Sequence, residues 1–150
     1  MGIRPTVSVH RKQRSKLPKR APRPKGVKVG FPAGQAGDGV IDKAIYNHFG
    51  TETIPERPFL TNAMRDNAEK YRRQMRVAAL RILISDEPDE QMVLELRRLG
   101  IVAVNDIKAE IVSLSDPPNS PLTIALKGSS NPLIDSGELH NAVTWKLEHG

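Results

Sequence analysis

No cysteine occurs in this 150-residue chain, which removes disulfides, thiolate zinc sites and thiol nucleophiles together. Aromatic residues are scarce, three Phe, two Tyr and one Trp, so any core must be mostly aliphatic. No apolar run approaches the roughly 20 residues that span a bilayer, and the opening MGIRPTVSVHRKQR lacks the apolar centre of a secretion signal. A product made in the cytoplasm is expected, with no membrane partner. Acids are missing from one region entirely. Residues 1–28 hold ten Lys/Arg and no Asp or Glu, whereas thirteen bases against seventeen acids leave residues 29–150 at a net −4. A basic arm on a mildly acidic domain needs two separate explanations.

The arm is expected over residues 1–25 and a single α+β domain over residues 26–150, since this length supports one modest core. Pro5, Pro18, Pro22 and Pro24 interrupt any continuous helix, and the segment has too few apolar residues to offset its own ordering entropy. Its charges, Arg11, Lys12, Arg14, Lys16, Lys19, Arg20, Arg23 and Lys25, are the candidate partner-binding set. They suit either DNA phosphates or an acidic protein face. The prolines and the scattered Val7, Val9 and Leu17 favour an extended strap lying along protein.

Beyond the arm, alternation in Val27-Lys28-Val29-Gly30-Phe31 predicts a strand with Val27, Val29 and Phe31 on one face. PAGQAGDG reads as a loop, and Val40 to Phe49 as a helix capped by Asp38 and ended by Gly50. Pro55 and Pro58 force the residues before them into extended conformations, so residues 51–57 form a stiff strap, with Phe49 and Phe59 expected as its buried anchors. Leu60, Met64, Ala68, Tyr71, Met75, Ala79 and Ile82 then predict one long helix. Ser85 to Glu90 reads as a helix start rather than a metal site, because a cap, an early proline and first-turn acids account for the cluster. The next helix carries Met92, Leu96, Leu99, Ala103, Ile107, Ile111 and Leu114, and is expected to run through Gly100, with that glycine admitting a second helix. Ser120 and Pro121 predict the cap and first residue of a short helix to Lys127, and Asp135 to Leu139 another short turn. Val143, Trp145 and Leu147 alternate with polar residues, as in a terminal antiparallel strand. The fold class is therefore α+β: long central helices on a small, mainly antiparallel sheet.

Catalytic patterns are not apparent. His10, His48, His140 and His149 share no metal-ligand spacing, no Gly-x-Ser-x-Gly occurs, and in LKGSS the lysine precedes the glycine, with no glycine five residues upstream to make a phosphate loop. The expectation is a binding or structural protein without cofactor or metal, not an enzyme. Two classes compete: a structural assembly component, and a nucleic-acid-binding protein whose domain positions the arm. The acidic balance of residues 29–150 counts against the second.

Two segments carry a family resemblance. IYNHFGTETIPERPFL, residues 45–60, and DPPNSPLTIALKGSSNPLIDSGELHNAVTWKL, residues 116–147, together resemble tailed-phage neck and tail-completion proteins, the virion morphogenesis and tail-component families of lambdoid and Mu-like phages. The likeness spans residues 27–148. Phe49, Gly50, Thr51, Ile54, Pro55, Arg57, Pro58 and Phe59 match the first motif; Lys127, Gly128, Pro132, Leu133, Asp135, Ser136, Gly137 and Leu139 match the second. The resemblance implies an α+β subunit of a homo-oligomeric ring, commonly a hexamer, at the head–tail junction of a virion assembled in a bacterial host. Connector or adaptor proteins and tail-tube or tail-terminator proteins would be its neighbours, with channel DNA within reach of the arm. These motif residues would be structural and interfacial, and Arg57 would be held for an internal or intersubunit acid. The arm is longer and more basic than the family pattern.

Overall fold

The computed structural model describes residues 23–32, 34–128 and 130–149. The chain runs β1 (Pro24–Gly30), α1 (Asp38–Phe49), α2 (Phe59–Asp66), α3 (Ala68–Ile84), α4 (Pro88–Ser113), α5 (Pro121–Lys127), α6 (Glu138–Ala142) and β2 (Thr144–His149). It is an α+β protein with one two-stranded antiparallel sheet among the described residues. No helix there is long and apolar enough to cross a membrane. The charges from Arg11 to Arg20 lie outside the described residues. β1 begins at Pro24, so Lys25 belongs to the sheet rather than to the arm, and Arg23 is held 2.6 Å from Asp89 on the first turn of α4.

α4 is the organising rod, 26 residues and about 39 Å long at helical rise. Pro88 starts it, Asp89 and Glu90 occupy its first turn, and the Ser85 hydroxyl accepts the Glu87 amide at 3.1 Å. The α2–α3 arm runs antiparallel along it. Asn62 donates to Glu110 at 3.1 Å, Tyr71 to Asp106 at 2.8 Å, and Arg81 to Glu95 at 3.3 Å. Residues 85–87 are therefore the turn of a helical hairpin. The expected single helix over Leu60–Ile82 is two. At Asn67 (φ −101°, ψ 6°) the side-chain amide donates to the Ala63 carbonyl at 2.9 Å, and this local bond competes with helix propagation.

Helix α4 does continue through Gly100, but the close neighbour is the sheet and not another helix. A Cβ on Gly100 would lie 2.9 Å from Trp145 Cγ and 3.0 Å from Val27 Cγ2. In the sheet Val27 faces Leu147 and Val29 faces Trp145, as the alternation predicts. Lys28 points outward to Glu148 at 2.7 Å. Around the other half of α4 the core gathers Phe59, Ile107, Ile111, Leu114, Leu133, Leu139 and Val143. At α1 the cap residue is Gly37, and Asp38 is the first helical position rather than the cap.

Candidate functional site

The two motif segments meet at one side chain. Gly50 ends α1 at φ 74°, and a Cβ there would sit 2.9 Å from the Glu56 nitrogen, so only glycine lets the strap fold back this closely. The Thr51 hydroxyl then accepts the Ile54 amide at 3.0 Å, and the Thr51 amide donates to the Ile54 carbonyl at 2.7 Å. The strap is sewn to α1 where the Arg57 amide donates to the Asn47 carbonyl at 2.8 Å. These bonds aim the Arg57 side chain inward, where it is 3% exposed.

Among the described residues Arg57 meets no acid. Its Nε donates to the Pro117 carbonyl at 2.9 Å, and one terminal nitrogen reaches the Pro118 carbonyl at 3.2 Å and Asn119 Oδ1 at 3.4 Å. The other lies 3.5 Å from Asn47 Oδ1. Where an internal acid is one expectation, the chain's own backbone carbonyls and amide oxygens take its place. Prolines 117 and 118 leave a segment with no helix or strand, and its carbonyls, lacking ladder partners, are satisfied by the guanidinium's fork of donors. Burial lowers the Arg57 pKa, but a guanidinium stays charged in proteins.

The network extends through the second motif. Asn119 donates to the Asn131 carbonyl at 3.4 Å, and Asn131 donates to Val112 on α4 at 2.8 Å while its own Oδ1 accepts the amides of Leu133 and Ile134 at 3.0 and 3.1 Å. Lys127 reaches the Pro132 carbonyl at 3.5 Å. Gly128, at φ 69°, closes α5, and Gly137, at φ 77°, opens α6. The Ser120 hydroxyl caps α5 by accepting the Thr123 amide at 3.1 Å, as expected. Pro55, Arg57, Lys127, Leu133, Asp135, Gly137 and Leu139, from both motifs, line one open cleft of about 660 Å³. Its charges are mixed: Lys43 pairs with Glu138 at 2.8 Å, which raises the lysine's pKa and lowers the carboxyl's. Among the described residues no group of three or more His, Cys, Asp or Glu could hold a metal ion.

Of the two expected anchors, only Phe59 is one. It is 0% exposed and meets the Phe31 ring edge-on at 6.3 Å and the His48 ring at 5.5 Å. Pro58 caps α2 from the position just before the helix. Phe49 is 69% exposed, because the anchoring place on α1 is taken by its neighbour His48, whose Nε2 lies 3.2 Å from the Thr61 hydroxyl. Thr51 and Gly50 form the strap turn, and Thr51 is exposed.

A second feature has no counterpart in the sequence expectations. Helix α3 buries no residue at all. Between it and the first half of α4 lies an apolar groove of about 710 Å³, floored by Ala78, Ile82, Met92, Leu96 and Leu99. Beside it Glu95, 7% exposed, is held by Arg98 at 2.8 Å, Gln91 at 2.8 Å and Arg81 at 3.3 Å. The signal in the sequence is Leu80-Arg81-Ile82-Leu83-Ile84, where apolar residues extend well beyond the single stripe that carries Ile82. Comparison with protein-family models, curated proteins and solved structures finds no match for this chain.

Proposed function

We propose that this chain is a structural protein of a tailed-phage virion, forming a ring, hexameric by the family resemblance, at the head–tail junction, where it joins or completes the tail at the head connector. The observation that carries the reading is the junction at Arg57. The two sequence segments that resemble neck proteins, 45–60 and 116–147, are far apart in the chain yet are clasped together by Arg57 and its carbonyl partners. Hydrogen-bonded in this way the two segments form one unit, which suits a subunit that transmits shape rather than performs turnover. The large apolar side chains left outside on α1, α3 and α5 give such a subunit surfaces to bury against copies of itself, the connector and the tail tube or terminator. The basic arm, beyond the described residues, would lie along an acidic face of an adjoining ring, with channel DNA as its alternative.

Mass spectrometry and cryo-electron microscopy of purified infectious particles test this. The chain should be present at a fixed copy number, in a ring between head and tail. Its absence from particles overturns the proposal, and recovery on nucleic acid instead would support the arm as a nucleic-acid binder.

A further inference from the structure

We propose that the root of the basic arm, residues 17–22, folds over the tip of the α3–α4 hairpin of its own chain, with Lys19 and Arg20 on the acids of the turn and Leu17 on the exposed end of α3. The described part of the chain shows where this segment starts. Arg23 is held 2.6 Å from Asp89, on the first turn of α4, and four residues later Val27 packs on Gly100, further along the same helix. β1 therefore runs in the direction of α4, and the chain before Arg23 is aimed past the helix start, at the turn of residues 85–87. The Arg23 Nε is buried and has no acceptor among the described residues, a need that a backbone carbonyl of the preceding segment would meet.

The surface of the tip matches the segment in order. Around Asp89 the turn presents Glu90, Glu87 and Asp86, all exposed. Behind them on α3 come Ile84, Leu83 and Leu80, exposed at 82%, 79% and 63%. Read back from Arg23, the arm carries Arg20 and Lys19, and then Leu17. Bases therefore meet acids first, and the leucine meets the apolar end of α3 second. The reach suffices. Six residues from Arg23 back to Leu17 span up to about 20 Å, and five peptide links from Asp89 back to Ile84 separate those two by no more than about 19 Å. Pro18 and Pro22 disfavour a helix, which would shorten that reach. Beyond Leu80 the exposed Arg76, Arg73 and Arg72 of α3 repel the arm's next bases, Lys16 and Arg14, so the seat ends there. A tether this short holds the segment at roughly millimolar effective concentration, which favours its own hairpin over that of another copy. The seat does not rest on the neck reading: it leaves Arg4, Arg11, Lys12, Arg14 and Lys16 for a further partner.

The chain has no cysteine, so two introduced ones report the seat without background. In the full chain, Leu17→Cys with Leu83→Cys should close a disulfide within one molecule on oxidation. A non-reducing gel would show it as a monomer of altered mobility, and peptide mass spectrometry would identify the link. It should close at least about tenfold faster than Leu17→Cys with Ile101→Cys. Ile101 is an exposed α4 position, about 18 Å from Asp89 along the helix and so within reach of the same tether. Adding Lys19→Glu and Arg20→Glu should erase that advantage. Adding Asp86→Lys and Glu87→Lys as well should restore it, because the charges are then exchanged rather than lost. Equal rates for the two cysteine pairs overturn the proposal, and so does an advantage that the charge reversal leaves intact. A disulfide-linked dimer as the main product also overturns it, and assigns the segment to another copy. Each of these failures leaves the neck proposal standing, since none bears on the presence of the chain in particles.

Discussion

The Nε of Arg57 donates to the backbone carbonyl of Pro117 across 2.9 Å, joining the strap after α1 to the proline-rich segment after α4. Removing the guanidinium leaves the Pro117 and Pro118 carbonyls in a partly buried site without their donors. Each such loss costs about 1–3 kcal/mol, so Arg57→Ala should destabilise the protein by about 3 kcal/mol. At roughly 2–4 °C per kcal/mol for a domain of this size, the melting temperature should fall by about 6–12 °C. Arg57→Lys should recover little, because one ammonium cannot span carbonyls that a planar fork reaches together. Thermal melts by circular dichroism decide it, and an unchanged melt for Arg57→Ala would show that the junction does not hold the fold.

Much of this architecture was legible in the sequence, and the misses share a physical cause. The terminal strand, the Ser120 cap, the Gly50 stop and the passage of α4 through Gly100 follow from local chemistry: alternation, a side-chain oxygen near a bare amide, a backbone needing positive φ. Choices that depend on tertiary alternatives were not legible. Periodicity runs smoothly through Asn67 and does not reveal that its side chain takes the Ala63 carbonyl. Residues 48 and 49 are adjacent aromatic rings, and only the packed structure shows that His48 takes the inward place. An arginine between two prolines suggests a salt bridge, because carbonyls without ladder partners leave no mark in the sequence.

Gly100 should tolerate nothing larger. With a Cβ at 2.9 Å from Trp145 Cγ and 3.0 Å from Val27 Cγ2, Gly100→Ala must push the sheet off α4. The gain in helix propensity, about 1 kcal/mol, is outweighed where overpacking costs typically 1–3 kcal/mol. A net loss is expected, together with a shift in the fluorescence of the single tryptophan. Wild-type stability and an unmoved emission spectrum would show that the strand pair has room to yield.

The two rings of the strap should respond oppositely. Phe59→Ala empties a fully buried site and should cost about 3–5 kcal/mol. Phe49→Ala, on a side chain 69% exposed, should change stability by less than about 0.5 kcal/mol. Chemical denaturation of both variants separates them, and equal losses would place Phe49 in the core.

His48 should make stability depend on pH in one window. Its ring is buried, its Nδ1 has no partner, and desolvation lowers its pKa below the usual value, with Glu56 offsetting part of that shift. The folded chain therefore binds this proton less readily than the unfolded chain, whose histidine titrates near 6.5. Where the unfolded state holds more protons, stability rises with pH. The contribution is thus fully present above about 6.5 and is lost progressively as pH falls from there toward the lower folded pKa. Glu138, held below its ordinary value by Lys43, adds its own loss only in the carboxylate range further down. Between about pH 5 and 6.5 the slope belongs to the histidine, and His48→Gln, which can keep a contact with the Thr61 hydroxyl, should flatten it while leaving the acid limb below in place. Urea denaturation at closely spaced pH values reads both limbs. A slope that survives in His48→Gln would assign the proton to another group.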